Sequence, residues 1–341
     1  MMPDTVLVIV WLVFAHLVAD FVLQNDWIAI NKGSGTREGH RALLTHGLHV
    51  SLCLLPAVFA FGAPGVVYMF VVAASHMLVD RWKVKATRRA DIQAQAQAQA
   101  RMDRTGQVPS SGLGGAWTPW PGMLFIADQA LHMTFAIVGW LVILQGAPLI
   151  APWVDFVNLV LRGWDRHTVH ATVLTLIVAI SLFLVNTRGA YYFVLALVSP
   201  RELNPMAIKA EAPTAPVVAV PAPAVSATAM ATATGAESAE ATAGGSASTG
   251  AQTLAPMPAV PSGAPARIGA TIGAFERLLI VAFVLTGAEA AVGFVIAAKT
   301  IARFKQLDDR GFAEYYLLGT LASVAVALAS ALLARAALAS L

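Results

Sequence analysis

Three pairs of histidine and aspartate, each spaced four residues apart within an apolar stretch, are the side chains in this sequence best suited to chemistry. They are His16–Asp20, His76–Asp80 and Asp128–His132. Residues four positions apart share one face of a helix and lie one turn apart, so both members of a pair can act on the same target. A further apolar stretch adds His46 and His49, which are three positions apart.

The combination of imidazole and carboxylate groups favours a divalent transition metal, because helical bundles build metal sites from such side chains. Zn, Mn or Fe would suit these donors. The predicted metal ligands are His16, Asp20, His46, His76, Asp80, Asp128 and His132. They are enough for two ions, or for one ion beside an acid–base pair that hydrolyses a substrate such as a phosphoester.

The same residues also suit two functions that need no metal. Histidines and aspartates inside a membrane can bind or relay cations and protons, as in a transporter. They can also hydrogen-bond between helices and fix the packing of a structural or accessory membrane protein. Metal content separates a metal site from the structural role, and flux in vesicles would identify a transporter.

The overall composition excludes an ordinary soluble enzyme. Of the 341 residues, 57% are hydrophobic and 12% are charged, whereas soluble domains carry about 25% charged residues. The net charge of +3 fits a membrane topology better than binding to nucleic acid. Cys53 is the one cysteine, so the sequence holds neither a disulfide framework nor a cysteine-based zinc site.

Seven stretches are long and apolar enough to form membrane-spanning helices, which need about 20 residues. They cover about 5–25, 41–61, 66–84, 122–145, 168–187, 276–298 and 313–338. The predicted fold is therefore an all-α polytopic transmembrane bundle of about seven spans. Residues 189–200 are too short to cross alone, so they are predicted to form an interfacial or re-entrant helix or to complete an extra crossing.

Basic residues in the loops predict the orientation of the first four spans. Lys32, Arg37 and Arg41 lie between spans 1 and 2, and seven basic residues lie between spans 3 and 4. By the positive-inside rule these loops face the cytoplasm, which suggests a bacterial inner-membrane protein with its N-terminus outside. The four helices then carry their His and Asp residues at matching depths, roughly 6–15 Å from the cytoplasmic face. The basic loop at 299–310 also favours the cytoplasm, although a count of seven spans puts it outside.

Residues 205–267 differ from the rest of the chain because they are rich in Ala, Pro, Thr, Ser and Gly and contain no aromatic residue. Such a segment is predicted to be a disordered linker. It would separate an N-terminal membrane domain (1–204) from a C-terminal transmembrane hairpin (268–341). The last span repeats a small residue at every fourth position, namely Gly319, Ser323, Ala327 and Ala331. This face predicts close helix packing, within the chain or in a homo-oligomer. The lipid bilayer is the other predicted partner of the protein.

The polar motifs also carry a resemblance to a known family. With HLVADFVLQ (16–24), SHMLVDRWK (75–83) and DQALH (128–132), the chain resembles a bacterial membrane-protein family called domain of unknown function 3307. The resemblance covers about 17–200 and 268–330 and treats the linker as an insertion. It implies a polytopic membrane protein and no particular activity. A fainter similarity links His40-Arg41 and Thr45-His46 to a motif of membrane-bound metal-dependent hydrolases.

Overall fold

The computed structural model of the protein describes residues 4–105, 118–198 and 264–341. Every regular element in these residues is helical, which confirms the predicted all-α fold. In chain order they are α1 (Thr5–Val18), α2 (Asp26–Asn31), α3 (Arg37–Cys53), α4 (Leu55–Phe61), α5 (Ala63–Thr105), α6 (Trp120–Gly139), α7 (Ala151–Val160), α8 (Arg166–Leu184), α9 (Ala190–Val198), α10 (Ala264–Leu285), α11 (Val292–Ala302) and α12 (Arg310–Leu338). Most of the predicted linker at 205–267 lies outside the described residues, so its disorder and the three-part division stay predictions.

Six helical segments in the described part of the chain are long and apolar enough to cross a membrane. They are Thr5–Leu23, Ala63–Ala90, Trp120–Leu144, Arg166–Val198, Ile268–Leu285 and Arg310–Leu338. The pair α3 and α4, bent by 45°, makes a seventh when it is counted as one span. The bend has a local cause, because Pro56 in the first turn of α4 has no amide hydrogen to continue the helical ladder. The predicted number of spans is confirmed.

Three of the spans contain a π-helical turn. These turns are Ala19–Leu23 after α1, Trp140–Leu144 after α6 and Val185–Gly189 after α8. The third joins α8 to α9 without a break, so residues 190–198 continue the fifth span. The predicted break at 186–189 and the extra crossing by 189–200 are therefore wrong, whereas an interfacial position of these residues stays a prediction. Asn186-Thr187-Arg188-Gly189 widens the helix there instead of ending it.

The apolar stretch at 276–298 is not the single helix that the sequence predicts. Helix α10 ends at Leu285, and Gly287 has a positive φ of 76° that reverses the chain. Helix α11 then runs back along α10, since Lys299 Nζ donates to Glu276 Oε2 at 2.6 Å. A glycine inside an apolar stretch thus divides it into one span and one short returning helix.

The last helix runs parallel to α10. Arg277 of α10 bonds to Ser323 near the middle of α12, and Glu289 beyond the end of α10 bonds to Arg335 near the end of α12. The basic residues at 299–310 therefore lie toward the end of the bundle where α10 begins. Because α11 returns along α10, the loop at 299–310 lies at the end of the bundle where α10 begins. A simple count of seven spans would place this loop at the other end.

The small-residue face of α12 packs within the chain. Gly319 faces the side chains of Val194 and Val198 of α9. The buried residues of the same face are Thr320, Ser323, Ala327, Ala331 and Ala334. A homo-oligomer through this span stays a prediction.

Gly65 at the start of the third span is a position where any side chain should disrupt the fold. A Cβ atom there would lie 2.2 Å from the carbonyl oxygen of Ala57, which belongs to the backbone of α4 and cannot move alone. We expect Gly65→Ala to lower the free energy of unfolding by about 3 kcal/mol, at the upper end of overpacking effects. Denaturation by SDS, followed by tryptophan fluorescence, measures the change. Gly146→Ala is the control, because a Cβ atom at Gly146 meets nothing within 4 Å, and an equal loss in both variants would contradict this packing.

Candidate metal centre

The structure brings all seven predicted site residues into one buried cluster between the first four spans. Residues of α1 and its π-helical turn, of α3, of α5 and of α6 face one another there. His46, His76, Asp80, Asp128 and His132 are each at most 4% exposed, and the side chains of His16 and Asp20 are 9% and 8% exposed. Groups of these residues offer ligand atoms within 4.8 Å of one another. The spacing rule therefore identified helix faces that do meet.

The Nε2 atom of His46 lies within 3.4 Å of three other ligand atoms. The Nε2 atoms of His46 and His76 are 3.0 Å apart. Asp20 Oδ1 lies 3.4 Å from His46 Nε2 and 3.2 Å from His76 Nε2, and Asp80 Oδ2 lies 3.4 Å from His46 Nε2. We call Asp20, His46, His76 and Asp80 the ligand quartet. Ligands of a tetrahedral ion with bonds of about 2.1 Å are roughly 3.4 Å apart, so these separations match those around a metal.

The π-helical turn of the first span positions Asp20. A π turn inserts one extra residue into a helix, and such turns are frequent at functional sites. Asp20 is the second residue of this turn, while His16 lies one turn earlier in regular α1. Phe21, the next residue, packs on Gly189 in the π turn of the fifth span. The two widened turns thus contact each other beside the cluster.

A glutamine connects the two halves of the cluster. Gln129 Oε1 accepts a hydrogen bond from His16 Nε2 at 3.0 Å. Its Nε2 donates to Asp128 Oδ2 at 3.1 Å and to Asp20 Oδ2 at 3.4 Å. The amide thereby fixes Asp20 so that Oδ2 faces Gln129 while Oδ1 faces the histidines of the ligand quartet. This is the arrangement by which outer residues orient metal ligands.

His132 has one nitrogen available for a proton. Its Nε2 donates to the carbonyl oxygen of His76 at 3.3 Å, so the neutral ring carries its lone pair on Nδ1. That atom lies 4.0 Å from Asp128 Oδ1. The ring of His132 also stacks on the ring of His76, with centroids 3.7 Å apart. Nδ1 is thus the ring nitrogen left to accept a proton or to bind a metal.

Two lysines bind carboxylates of the cluster. Lys32 Nζ donates to Asp80 Oδ1 at 2.8 Å, and Lys83 Nζ donates to Asp128 Oδ2 at 2.6 Å. Burial alone would lower the pKa of Lys32, but the carboxylates of Asp80 and Asp20 outweigh it and raise that pKa above its ordinary value. Asp20 has no lysine among the described residues. With neutral imidazoles, three carboxylates against two ammonium groups leave one uncompensated negative charge.

Short local signals place Lys32 beside the cluster. Asn25 caps α2 by accepting a hydrogen bond from the amide of Ile28. Ile28 is 1% exposed and anchors this short helix in the bundle. Lys32 follows directly after α2, where its ammonium group also donates to Gln24 Oε1 at 2.8 Å. The loop between the first two spans thus positions the ammonium group of Lys32 against Asp80.

Several polar atoms of the cluster are buried without a hydrogen-bond partner among the described residues. They are Asp20 Oδ1, His46 Nδ1, Asp80 Oδ2, Asp128 Oδ1 and His132 Nδ1. Buried carboxylate oxygens are normally paired, because an unpaired one loses its hydration without compensation. Two of these oxygens belong to the ligand quartet and lie among its nitrogens. The residues therefore fit a bound cation in their chemistry and in their spacing.

A small cavity adjoins the cluster on the side of the apolar core. Its volume is about 20 Å³, and it is lined by His16, His76 and His132 together with apolar residues such as Leu12 and Val50. A cavity of that size has room for about one water molecule. The three imidazoles are the groups that could hydrogen-bond to it. The cluster can thus hold a water molecule next to candidate ligands and away from bulk solvent.

The sequence alone missed three polar residues of the cluster. Lys32 and Gln129 carry no spacing signal, and Lys83 looks like one basic residue among many in its loop. Lys83 does lie three positions after Asp80, which places it near the same helix end. His49 is three residues from His46, but none of its ring atoms joins the groups of close ligand atoms. Of that pair the structure brings His46 alone into the cluster.

The comparison with protein families identifies the part of the chain that carries the cluster. Residues 8–161 match the model of a family described as a protein of unknown function, DUF3307. We call residues 8–161 the DUF3307 region after this match. All seven cluster residues lie in it, and the resemblance inferred from the polar motifs is confirmed there. Its extension to 162–200 and 268–330 stays a prediction. Comparisons with curated proteins and with solved structures gave no match.

Proposed function

We propose that the DUF3307 region holds one divalent transition-metal ion, Zn, Mn or Fe, bound by the ligand quartet within the membrane. The observation that supports this most is the spacing of the four ligand atoms, whose close pairs are 3.0–3.4 Å apart. Two nitrogens and two oxygens from three different spans are joined by these contacts, with His46 Nε2 close to the other three atoms. Side chains that only join helices would each bind a neighbour and need no common centre.

The charge of the cluster also favours a metal over a purely structural role. Among the described residues, the ionisable partners of Asp20 within 4 Å are His16, His46 and His76 and no lysine. Its charge at this depth therefore needs protonated imidazoles or a bound cation. A divalent ion beside it compensates the excess negative charge and bonds to the free oxygens. The basic residues at 32–41 and 81–104 support, by the positive-inside rule, the proposal that this end of the bundle faces the cytoplasm across a bacterial inner membrane.

We further propose that the metal serves hydrolysis of an anionic substrate such as a phosphoester. A divalent ion lowers the pKa of a bound water molecule and polarises a phosphoryl oxygen. His132 lines the cavity and can accept a proton on Nδ1, next to Asp128. Lys83 is the more exposed lysine of the cluster, with 24% of its side chain accessible, and would attract an anion to the entrance.

A hydrolysis assay tests this proposal. Purified protein reloaded with Zn²⁺, Mn²⁺ or Fe²⁺ is given bis(p-nitrophenyl) phosphate as a generic phosphodiester. We expect metal-dependent release of nitrophenol, and we expect His132→Gln to lower the rate by about 10²–10⁴-fold, as for loss of a general base. His167→Gln is the control, since His167 is exposed and lies near the opposite end of the bundle. Equal rates in both variants would contradict the role of His132.

Cation or proton transport is the second candidate, and one observation favours it. The four imidazole rings form a continuous series, with centroids 4.9 Å apart for His46–His76, 3.7 Å for His76–His132 and 5.2 Å for His132–His16. A proton can pass directly between the Nε2 atoms of His46 and His76, which are 3.0 Å apart. A water molecule in the cavity lined by His16, His76 and His132 would bridge the other rings. Proteoliposomes containing a pH-sensitive dye distinguish the two functions. If metal-loaded protein shows proton flux and no phosphodiesterase activity, transport is the function and the proposal of hydrolysis is wrong.

A further inference from the structure

A second set of ligand atoms lies next to the ligand quartet. One ligand atom each from Asp80, Asp128 and His132 lies within 4.8 Å of the others. Asp128 and His132 are 1% and 4% exposed, and Asp128 Oδ1 and His132 Nδ1 have no hydrogen-bond partner among the described residues. Asp80 is shared with the quartet. Two cation positions that share a carboxylate are the arrangement of two-metal sites.

In this structure an ammonium group lies beside the second set, bound to one of its carboxylates. Lys83 Nζ lies 2.6 Å from Asp128 Oδ2, the other oxygen of that carboxylate. The same ammonium lies 5.2 Å from the centre of the Phe125 ring, a cation–π contact that helps to hold it there. Phe125 and Asp128 are three residues apart on α6, so one helix face fixes both contacts.

We propose that Lys83 is a resident cation that takes the place of a second metal ion and keeps the centre mononuclear. A divalent ion bound to Asp128 and His132 would lie a few ångströms from the ammonium group. Two like charges that close repel strongly, because little water is present in a buried site to screen them. The ammonium therefore excludes the second ion and leaves Nδ1 of His132 free for a proton. This inference rests on the proposed metal centre.

Metal content after replacement of Lys83 tests the inference. Full-length protein in detergent is incubated with Mn²⁺, desalted and analysed by mass spectrometry of the elements. We expect about one ion per chain in the wild type and about two in Lys83→Met, because the freed ligands suit a second divalent ion. Lys83→Arg keeps the charge and Lys85→Met removes an exposed lysine two residues away, so both should keep about one ion.

The outcomes separate this inference from the proposal on which it rests. About one ion in folded Lys83→Met would overturn the resident-cation role and leave the metal centre standing, whereas a wild type without metal would overturn the centre itself. Lys83→Gln carries the same two-ion expectation and replaces Lys83→Met if methionine prevents folding. The double variant Lys83→Met with Asp128→Asn should return to about one ion, since Asp128 is the ligand. Two ions in that variant would place the second site elsewhere and contradict the assignment.

Discussion

Lys32→Met is expected to destabilise chelator-treated protein by about 3–5 kcal/mol, the usual cost of removing one partner of a buried ion pair. The side chains of Lys32 and Asp80 are 10% and 2% exposed. Without the ammonium group, Asp80 keeps a charge that neither water nor another cation compensates. The unfolding free energy is measured by SDS titration with tryptophan fluorescence. Lys85→Met, which removes an exposed lysine, should change it by less than about 0.5 kcal/mol.

A second substitution tests whether the unpaired charge is the cause. Asp80→Asn combined with Lys32→Met removes both charges and leaves an amide of nearly the same shape. We expect this double variant to recover most of the lost stability, because neutral partners no longer need compensation. Added metal should also rescue Lys32→Met, since a cation at Asp80 Oδ2 can stabilise the carboxylate. A Lys32→Met protein as stable as Lys85→Met would show that the ion pair contributes nothing to the fold.

The convergence of the cluster could be predicted because it depends on two regular features. The four-residue spacing puts His16 with Asp20, and His76 with Asp80, on single helix faces. The cost of polar groups in lipid then turns those faces toward each other. In antiparallel neighbouring spans, residues at the same depth lie side by side, so helix spacing and membrane depth were sufficient to predict the cluster. The sequence was therefore sufficient to predict that the His and Asp residues of the four spans lie at the same depth.

The lysines and the glutamine could not be predicted because their positions depend on the path of the chain. Lys32 reaches Asp80 from 48 residues away, through a short helix that Asn25 and Ile28 hold in place. Gln129 connects the cluster because it bonds to His16 and Asp20 of the first span as well as to Asp128 of its own helix, which spacing does not show. These contacts determine the net charge of the cluster. That charge decides whether the cluster favours a bound metal ion or a relayed proton.

The span boundaries show the same limit. A hydropathy average cannot tell a widened helix from a broken one, so Asn186-Thr187-Arg188-Gly189 and Thr286-Gly287-Ala288 look alike. The first stays helical because Arg277, buried in α10, donates to the carbonyl oxygen of Asn186 that the π turn exposes. The second ends the helix, because Gly287 adopts a positive φ. Tertiary contacts decide the first outcome and backbone freedom the second.

Asp20→Asn is expected to lose nearly all bound metal. Asp20 is the ligand of choice for this test because it has no lysine partner among the described residues, so its replacement leaves no buried ammonium group unpaired. The amide nearly preserves shape and can still hydrogen-bond to Gln129. Losing an outer-shell residue commonly lowers metal affinity by about 10–100-fold, and losing a ligand should cost at least as much. Asp26→Asn changes an exposed aspartate six residues away and is the matched control.

Elemental analysis of the protein purified in detergent without chelator is the most direct test of the metal centre. Wild type and Asp26→Asn should each carry about one Zn, Mn or Fe ion per chain, and Asp20→Asn should carry less than about a tenth of that amount. All three proteins should elute as folded, monodisperse species, so that the loss reports on the ligand alone. Metal-free wild type, or Asp20→Asn with as much metal as wild type, would contradict the metal centre.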